Sequence, residues 1–259
     1  MIDIGANLTD KSFDKDRFKV IERASLAGVK KIIITGSCDE SNIRASMLSE
    51  GNSGILYSTA GVHPHHASDY SSASDKIIRN LITKKHVVAV GECGLDYYRN
   101  LSSREDQIKT FTQQIDIAKD YDSPIFLHQR EAHYDFINIL RPSLPKLKKA
   151  VVHCFTGSAK ELHDYINMGL YIGITGWICD ERRGNHLKKI ISVIPDNKLF
   201  IETDSPYLLP RTMDSKPKNR RNEPMYLLEV AKAVAEARGQ SIRKIIEVTT
   251  ENAIRFFQL

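Results

Sequence analysis

At 259 residues, with 41% hydrophobic and 27% charged side chains, the chain has the length for a sizeable core and the composition of an ordinary soluble globular protein. Its 37 basic and 32 acidic residues leave a net charge of +5, too small an excess to identify nucleic acid as a partner unless the charge is clustered. No apolar run approaches the roughly 18 residues of a membrane-spanning helix, and the opening MIDIGANLTD lacks the pattern of an export signal.

In chain order, eight short apolar runs stand out: MIDI, KIIIT, ILYSTAGV, VVAV, PIFL, AVVH, YIGIT and LFIET. Short runs rich in Val and Ile predict strands buried on both faces. Between them, DRFKVIERASLAGV, REDQIKTFTQQIDIAKDY and AKELHDYINMG predict amphipathic helices, the last closed by Gly169 as a C-cap. One residue at the end of each run (Asn7, Gly36, His63, Glu92, His128, His153, Gly176, Asp204) recurs every 23 to 36 residues. Eight such units predict an α/β protein, a (β/α)8 TIM barrel that spans residues 1–259 as a single domain. An open doubly wound sheet is the alternative, disfavoured by the number of units and the lack of a dinucleotide fingerprint. Cys38, Cys93, Cys154 and Cys179 form no CxxC pair and are expected as free thiols in a reducing cytoplasm.

Strand C-termini of a barrel open onto one face, where active sites are built. Glu92 ends the apolar run VVAVGE, and a carboxylate buried there needs a cation, a metal or hydrogen-bond donors. His128, His153 and Asp204 end other predicted strands on that face, so all four are expected around one ion. Alternation aligns Glu92 with Val88 and Val90 and turns Cys93 and Cys154 away. Two imidazoles with one or two carboxylates suit Mg2+, Mn2+, Zn2+ or Fe2+. Singly, each residue reads equally as a polar strand cap; four together point to a metal centre. Such a metal would make hydroxide available near neutral pH, with Asp204 orienting or deprotonating the water and sharing the metal. His63 is expected to contact substrate or a leaving oxygen, or else to bond a nearby loop. His65 and His66 are expected exposed in a loop, and His86, His163 and His186 as surface residues.

Arg99, Arg130, Arg182 and Arg183 fall in loops of the same face. The stretch RTMDSKPKNRRNEP holds five basic residues from Arg211 to Arg221 against one acid, Asp214. This local bias suits a phosphate-bearing substrate, with Arg130, Arg220 and Arg221 as phosphate contacts; a merely solvated loop is the alternative.

The motifs AGVHPH, VAVGECGLDYYR, PIFLHQRE, VVHCFTGS, LYIGITGWICDERRG, IETDSPYLLP and RRNEP, in this order, resemble the TatD family of metal-dependent nucleases, and most of all its bacterial DNase members. The likeness runs from MIDIGANLTD to TTENAIRFF. It implies a TIM barrel, divalent metal at strand ends (Mg2+ first, Mn2+ or Zn2+ as alternatives), and 3′→5′ exonuclease action on single-stranded DNA and RNA, with a role in DNA repair. It implies Glu92, His128 and His153 as metal ligands and Asp204 as the catalytic aspartate. One departure stands out. Most relatives begin D-x-H-x-H, whereas Asp3-Ile4-Gly5-Ala6-Asn7 has neither histidine. One firm metal is therefore expected, with a second weak or supplied through substrate phosphate. The protein is expected to be a cytoplasmic monomer.

Two other function classes compete: an amidohydrolase-type enzyme acting on a small amide, ester or lactone, and a catalytically weak nucleic-acid-binding protein. The basic loop argues against the first; the missing histidine pair motivates the second, which Mg2+-dependent product release would exclude. A two-His-one-carboxylate iron oxygenase shares ligand types only.

Overall fold

The structure is a computed structural model that describes all 259 residues. Eight strands form one sheet in the order β1 to β8: β1 Ile2–Ala6, β2 Lys31–Ile34, β3 Leu56–Ala60, β4 Val87–Asp96, β5 Ile125–Arg130, β6 Ala150–Val152, β7 Tyr171–Ile174 and β8 Leu199–Ile201. Nine helices accompany them: α1 Arg17–Leu26, α2 Asp39–Glu50, α3 Ser72–Leu81, α4 Arg104–Asp120, α5 His133–Leu140, α6 Ala159–Asn167, α7 Asn185–Ile190, α8 Leu227–Arg238 and α9 Ile242–Phe257. Parallel strands joined through helices make a (β/α)8 TIM barrel, as the eight-unit spacing predicts. Each predicted run lies on a strand, because runs such as Ile32–Ile34 and Val87–Val90 are apolar on both faces and are buried on both. No helix is long and apolar enough to cross a membrane.

The chain divides into two compact units. One comprises Met1–Ile34, Cys154–Ala159 and Tyr171–Leu259. Here β1 pairs with β2 and β7 with β8, and the end of β1 meets the segment after β8 through Asp204 N–Gly5 O (2.8 Å) and Asn7 N–Ser205 O (2.7 Å). Its aromatic core is Phe200, Phe256 and Phe257 with Tyr171 stacked on Phe200. The other unit comprises Thr35–His153 and Lys160–Leu170 and holds β3 to β6. There Phe111 of α4 stacks on Phe136 of α5 behind the strands.

Two strand ends depart from simple alternation. Glu92 was expected at the end of its strand, but β4 continues to Asp96 with all ten residues buried. The register against β5 slips between Gly91 and Cys93, a bulge that places Glu92 where the two-residue period breaks. The flanking glycines permit this. Gly91 and Gly94 have φ of +132° and +144°, and a Cβ would lie 2.3 Å from Phe126 O and 1.9 Å from His128 O respectively. Similarly, β8 ends at Ile201, and Asp204 follows with φ +52°, so alternation does not set its direction. The cysteines are free as expected, Cys93 and Cys179 buried and the other two half-buried.

Candidate metal centre

Within the second unit, four imidazoles and two carboxylates gather at the C-terminal ends of β3 to β6. Glu92 comes from the β4 bulge, Asp96 from the end of β4, His128 from β5, and His153 directly follows β6. His63 follows β3 and caps a short 3-10 helix, Pro64–Asp69. One carboxylate oxygen, Oε1 of Glu92, receives three ring nitrogens: His153 Nε2 at 2.8 Å, His128 Nδ1 at 2.9 Å and His63 Nε2 at 3.3 Å. On the far side of the His128 ring, Nε2 meets Asp96 Oδ2 at 3.3 Å, and His65 Nε2 reaches the same oxygen at 2.9 Å.

The charge states follow from this crowding. Burial alone would push the Glu92 carboxyl up, but His153, His63 and the hydrogen bonds from His128 and His153 hold it well below the usual carboxylate range. Burial brings His63 down to about 4, against the pull of Glu92, so it is neutral at pH 7. His128 is raised, since its bonds to Asp96 and Glu92 outweigh its burial. The same two histidines, His128 and His65, hold Asp96 far below its normal value despite burial. The arrangement is a fixed pair of carboxylates facing an excess of imidazole.

These residues fit a divalent cation. Donor atoms of His63, Glu92 and His128 lie within 4.8 Å of one another, and His153 Nε2 lies 2.8 Å from the same Glu92 oxygen although outside that group. Ligands about 2.0–2.2 Å from one ion are separated by up to roughly 4.4 Å, so little movement is needed. Imidazole nitrogen and carboxylate oxygen without thiolate suit Mn2+, Zn2+, Fe2+ or a partly hydrated Mg2+. Asp96 gripping the outer nitrogen of His128 is the usual way a carboxylate orients a metal-binding imidazole. His63 differs from the other two. Its Nδ1 accepts the His65 backbone N–H at 3.0 Å, so the neutral ring carries its proton on Nε2 and presents a donor to Glu92. That tautomer makes it a better hydrogen-bond donor than a ligand.

Asp204 lies in the first unit, half-buried after β8. Its Oδ1 accepts from Asn7 Nδ2 at 2.9 Å. Thr203 is tied to the fully buried Asp3 by its N–H (2.9 Å) and its hydroxyl (2.6 Å). Asn222 of RRNEP donates to Thr203 O and Tyr207 O. Asp3 and Gly5 of β1, with Asn7 just after it, thus set the backbone and side chain of Asp204.

A family profile described as TatD related DNase matches residues 2–258. The chain belongs to the TatD related DNase family. It is 47% identical to a protein named 3′-5′ ssDNA/RNA exonuclease TatD from Rahnella sp. (strain Y9602), over all of this chain and 98% of that one. It is 49% identical to the protein of the same name from Erwinia tasmaniensis, over the whole of both chains. Among solved structures, a TatD homologue from Escherichia coli K12 superposes with a TM-score of 0.90 at 29% identity, covering 100% of this chain and 98% of that one. A TatD-family hydrolase from Entamoeba histolytica gives 0.87 at 28% identity, covering 99% and 97%.

In this TatD-family chain, Glu92, His128 and His153 come together in one cluster, and His63 joins them. Reading sequence alone misses His65 and Asp96. Half-buried rather than free in a loop, His65 packs on His63 with ring centroids 4.2 Å apart and pairs with Asp96. The signal was present in the four-residue step from Glu92 to Asp96, which keeps both acids on the strand between the same histidines. Of the proposed phosphate contacts, Arg130 stacks over the Tyr98 ring at 3.8 Å and Arg220 is exposed. Arg221 is a correction. Its guanidinium is turned inward onto Asp16 (2.7 Å) and Glu223 (2.8 Å) and its side chain is only 12% exposed, so it is a structural clamp rather than a phosphate contact. Of the expected surface histidines, His86 bonds Ser46 Oγ at 2.9 Å and His186 is exposed.

Proposed function

We propose that this chain is a metal-dependent nuclease that shortens single-stranded DNA or RNA from the 3′ end. The proposed setting is a cytoplasmic monomer active on DNA ends in repair. The observation that carries the reading is the convergence of three imidazoles on Glu92 Oε1 in a member of the TatD related DNase family. Glu92, His128 and His153 would hold the cation, with Mg2+ the first candidate. A divalent cation there supplies Lewis acidity toward a phosphoryl oxygen and lowers the pKa of water.

The remaining work falls to the protein's own groups. Asp204, its Oδ1 fixed by Asn7, is assigned as the base that takes the proton of the attacking water. His63, neutral with its hydrogen on Nε2, is assigned as hydrogen-bond donor to the departing 3′ oxygen, which takes its proton from solvent. Asp96 keeps His128 from rotating. Arg130 and Arg220 are assigned to the flanking phosphates, where a guanidinium offers paired donors. Digestion of 5′- and 3′-end-labelled oligonucleotides with Mg2+, Mn2+ or EDTA tests the reading. Expected is a ladder that shortens from the 3′ end, is absent in EDTA, and slows by about 100-fold or more in Asp204→Asn while oligonucleotide binding persists. Digestion unaffected by EDTA, or products released from the 5′ end, would overturn it.

A further inference from the structure

A second feature of the first unit is separate from the carboxylate–imidazole cluster. Where the chain leaves β7, the helical turn Gly176–Cys179 and the loop after β8 enclose a pocket of about 270 Å3. Gly176 makes the close contact that shapes its floor, since a Cβ there would lie 2.1 Å from Leu208 O. Trp177, the only tryptophan of the chain, forms a wall. Arg183 lies over its ring at 4.6 Å, and its indole N–H is buried with no hydrogen-bond partner in the protein.

The charges around Trp177 are unbalanced in a particular way. Arg182, Arg183 and Arg211 are tethered to Asp180 at 2.9, 3.4 and 3.8 Å, and Arg211 also to Glu181 at 3.1 Å. Two acids thus hold three arginines in place and leave one charge over. Lys216 and Arg220 line the same pocket and pair with no carboxylate, which brings the excess to three. Cations fixed in a concave wall focus a positive potential, and restrained guanidinium groups lose little entropy on binding phosphate. Loops after strands 7 and 8 are a frequent phosphate site in barrels.

We propose that this pocket is a second anion site, which holds a backbone phosphate other than the one being cut, with the attached base beside Trp177. The identity of the ligand as single-stranded nucleic acid rests on the nuclease reading; the pocket's affinity for a phosphate group does not.

The single tryptophan makes the test specific to the site. In EDTA, so that nothing is cleaved, an eight-residue oligothymidylate is titrated while Trp177 emission and the anisotropy of a labelled end are followed. The two signals are expected to share one midpoint. Lys216→Gln/Arg220→Gln should raise that midpoint about tenfold or more and flatten the salt dependence by about 1.4 in log–log slope, two single-strand phosphate contacts. Arg243→Gln/Arg255→Gln, two exposed arginines on α9, controls for the loss of two charges and should leave both unchanged. Oligonucleotide binding without a change in Trp177 emission, or no effect of the double substitution, would overturn the proposal. Titration with inorganic phosphate separates the sources. Saturation by phosphate that the oligonucleotide cannot displace would assign the pocket to a free anion and also overturn it. Because these readings need no turnover, a protein that binds here yet hydrolyses nothing would refute the nuclease reading and keep the pocket.

Discussion

Glu92 and Asp3 are both buried carboxylates, and their surroundings give them opposite roles. Three imidazoles keep Glu92 ionised and ready to share a cation. Glu92→Gln keeps the shape and removes the charge, so divalent-metal binding by calorimetry and oligonucleotide hydrolysis should both fall, the latter by at least about 100-fold, with the circular dichroism spectrum retained. Near-normal turnover in the folded variant would remove Glu92 from the site. Asp3 has no cation. Burial pushes it up to about 7, and the Thr203 and Gly5 donors only partly offset this. Its folded pKa lies above the unfolded value, so the folded state binds the extra proton between about pH 4 and 7 and loses stability as pH rises through that window. Asp3→Asn should flatten that fall in urea-unfolding free energy; an unchanged slope would assign it to another group. At this scale the sequence marked Glu92, His128 and His153 because charge at the end of an apolar run needs a partner. It could not mark Asp3 or Asn7, whose partners, Thr203 and Asp204, lie on the segment after β8.

Among the elements, the loop after β8 is the one whose sequence misled. Its density of basic residues reads as a phosphate grip, yet the chain uses two of its charges, Arg221 and Glu223, to lash the loop to α1 through Asp16 and Arg23. Nothing local in KNRRNEP separates Arg220 from Arg221; their difference comes from Arg220 adopting φ +57°, which turns successive side chains apart. The hydrogen bond from Arg221 is the main reason Asp16 is lowered to about 2. That depressed value stabilises the fold above the unfolded pKa, and the contribution disappears as pH falls from about 4 to 2. Arg221→Gln should therefore cost roughly 1–3 kcal/mol at pH 7, with the gap to wild type narrowing in acid. Equal destabilisation at pH 7 and pH 2.5 would show that packing against Phe13, over which the guanidinium lies, matters more than charge. Strand β4 carries the second lesson. Its first four residues are legible as a buried strand, but its bulge and extension to Asp96 depend on close approach to β5 at Gly91 and Gly94, which no period in one strand reveals.

For the whole molecule, the barrel was legible because eight buried runs at regular spacing have few other ways to close, whereas the cluster's full membership depended on how those strands align side by side. Alignment also makes the cluster a link between distant stretches of chain: Glu92 lies on β4, His128 on β5 and His153 directly after β6, and these strands pair in sequence, β4 with β5 and β5 with β6. A cation bound to all three is bound only by the folded chain, so it stabilises by mass action, about 2.7 kcal/mol at a hundredfold excess over Kd. For a chain of this length each kcal/mol raises Tm by roughly 2–4 °C, which gives an expected increase of about 5–10 °C. Thermal unfolding followed by circular dichroism should show this increase with Mn2+ at a hundredfold excess over the calorimetric Kd, and its reversal by excess EDTA. Glu92→Gln should show no metal-dependent increase, while Asp204→Asn should retain much of it if Asp204 serves chiefly as the base. A metal-dependent Tm increase in Glu92→Gln as large as in the wild type would place the bound metal away from the β4–β6 cluster.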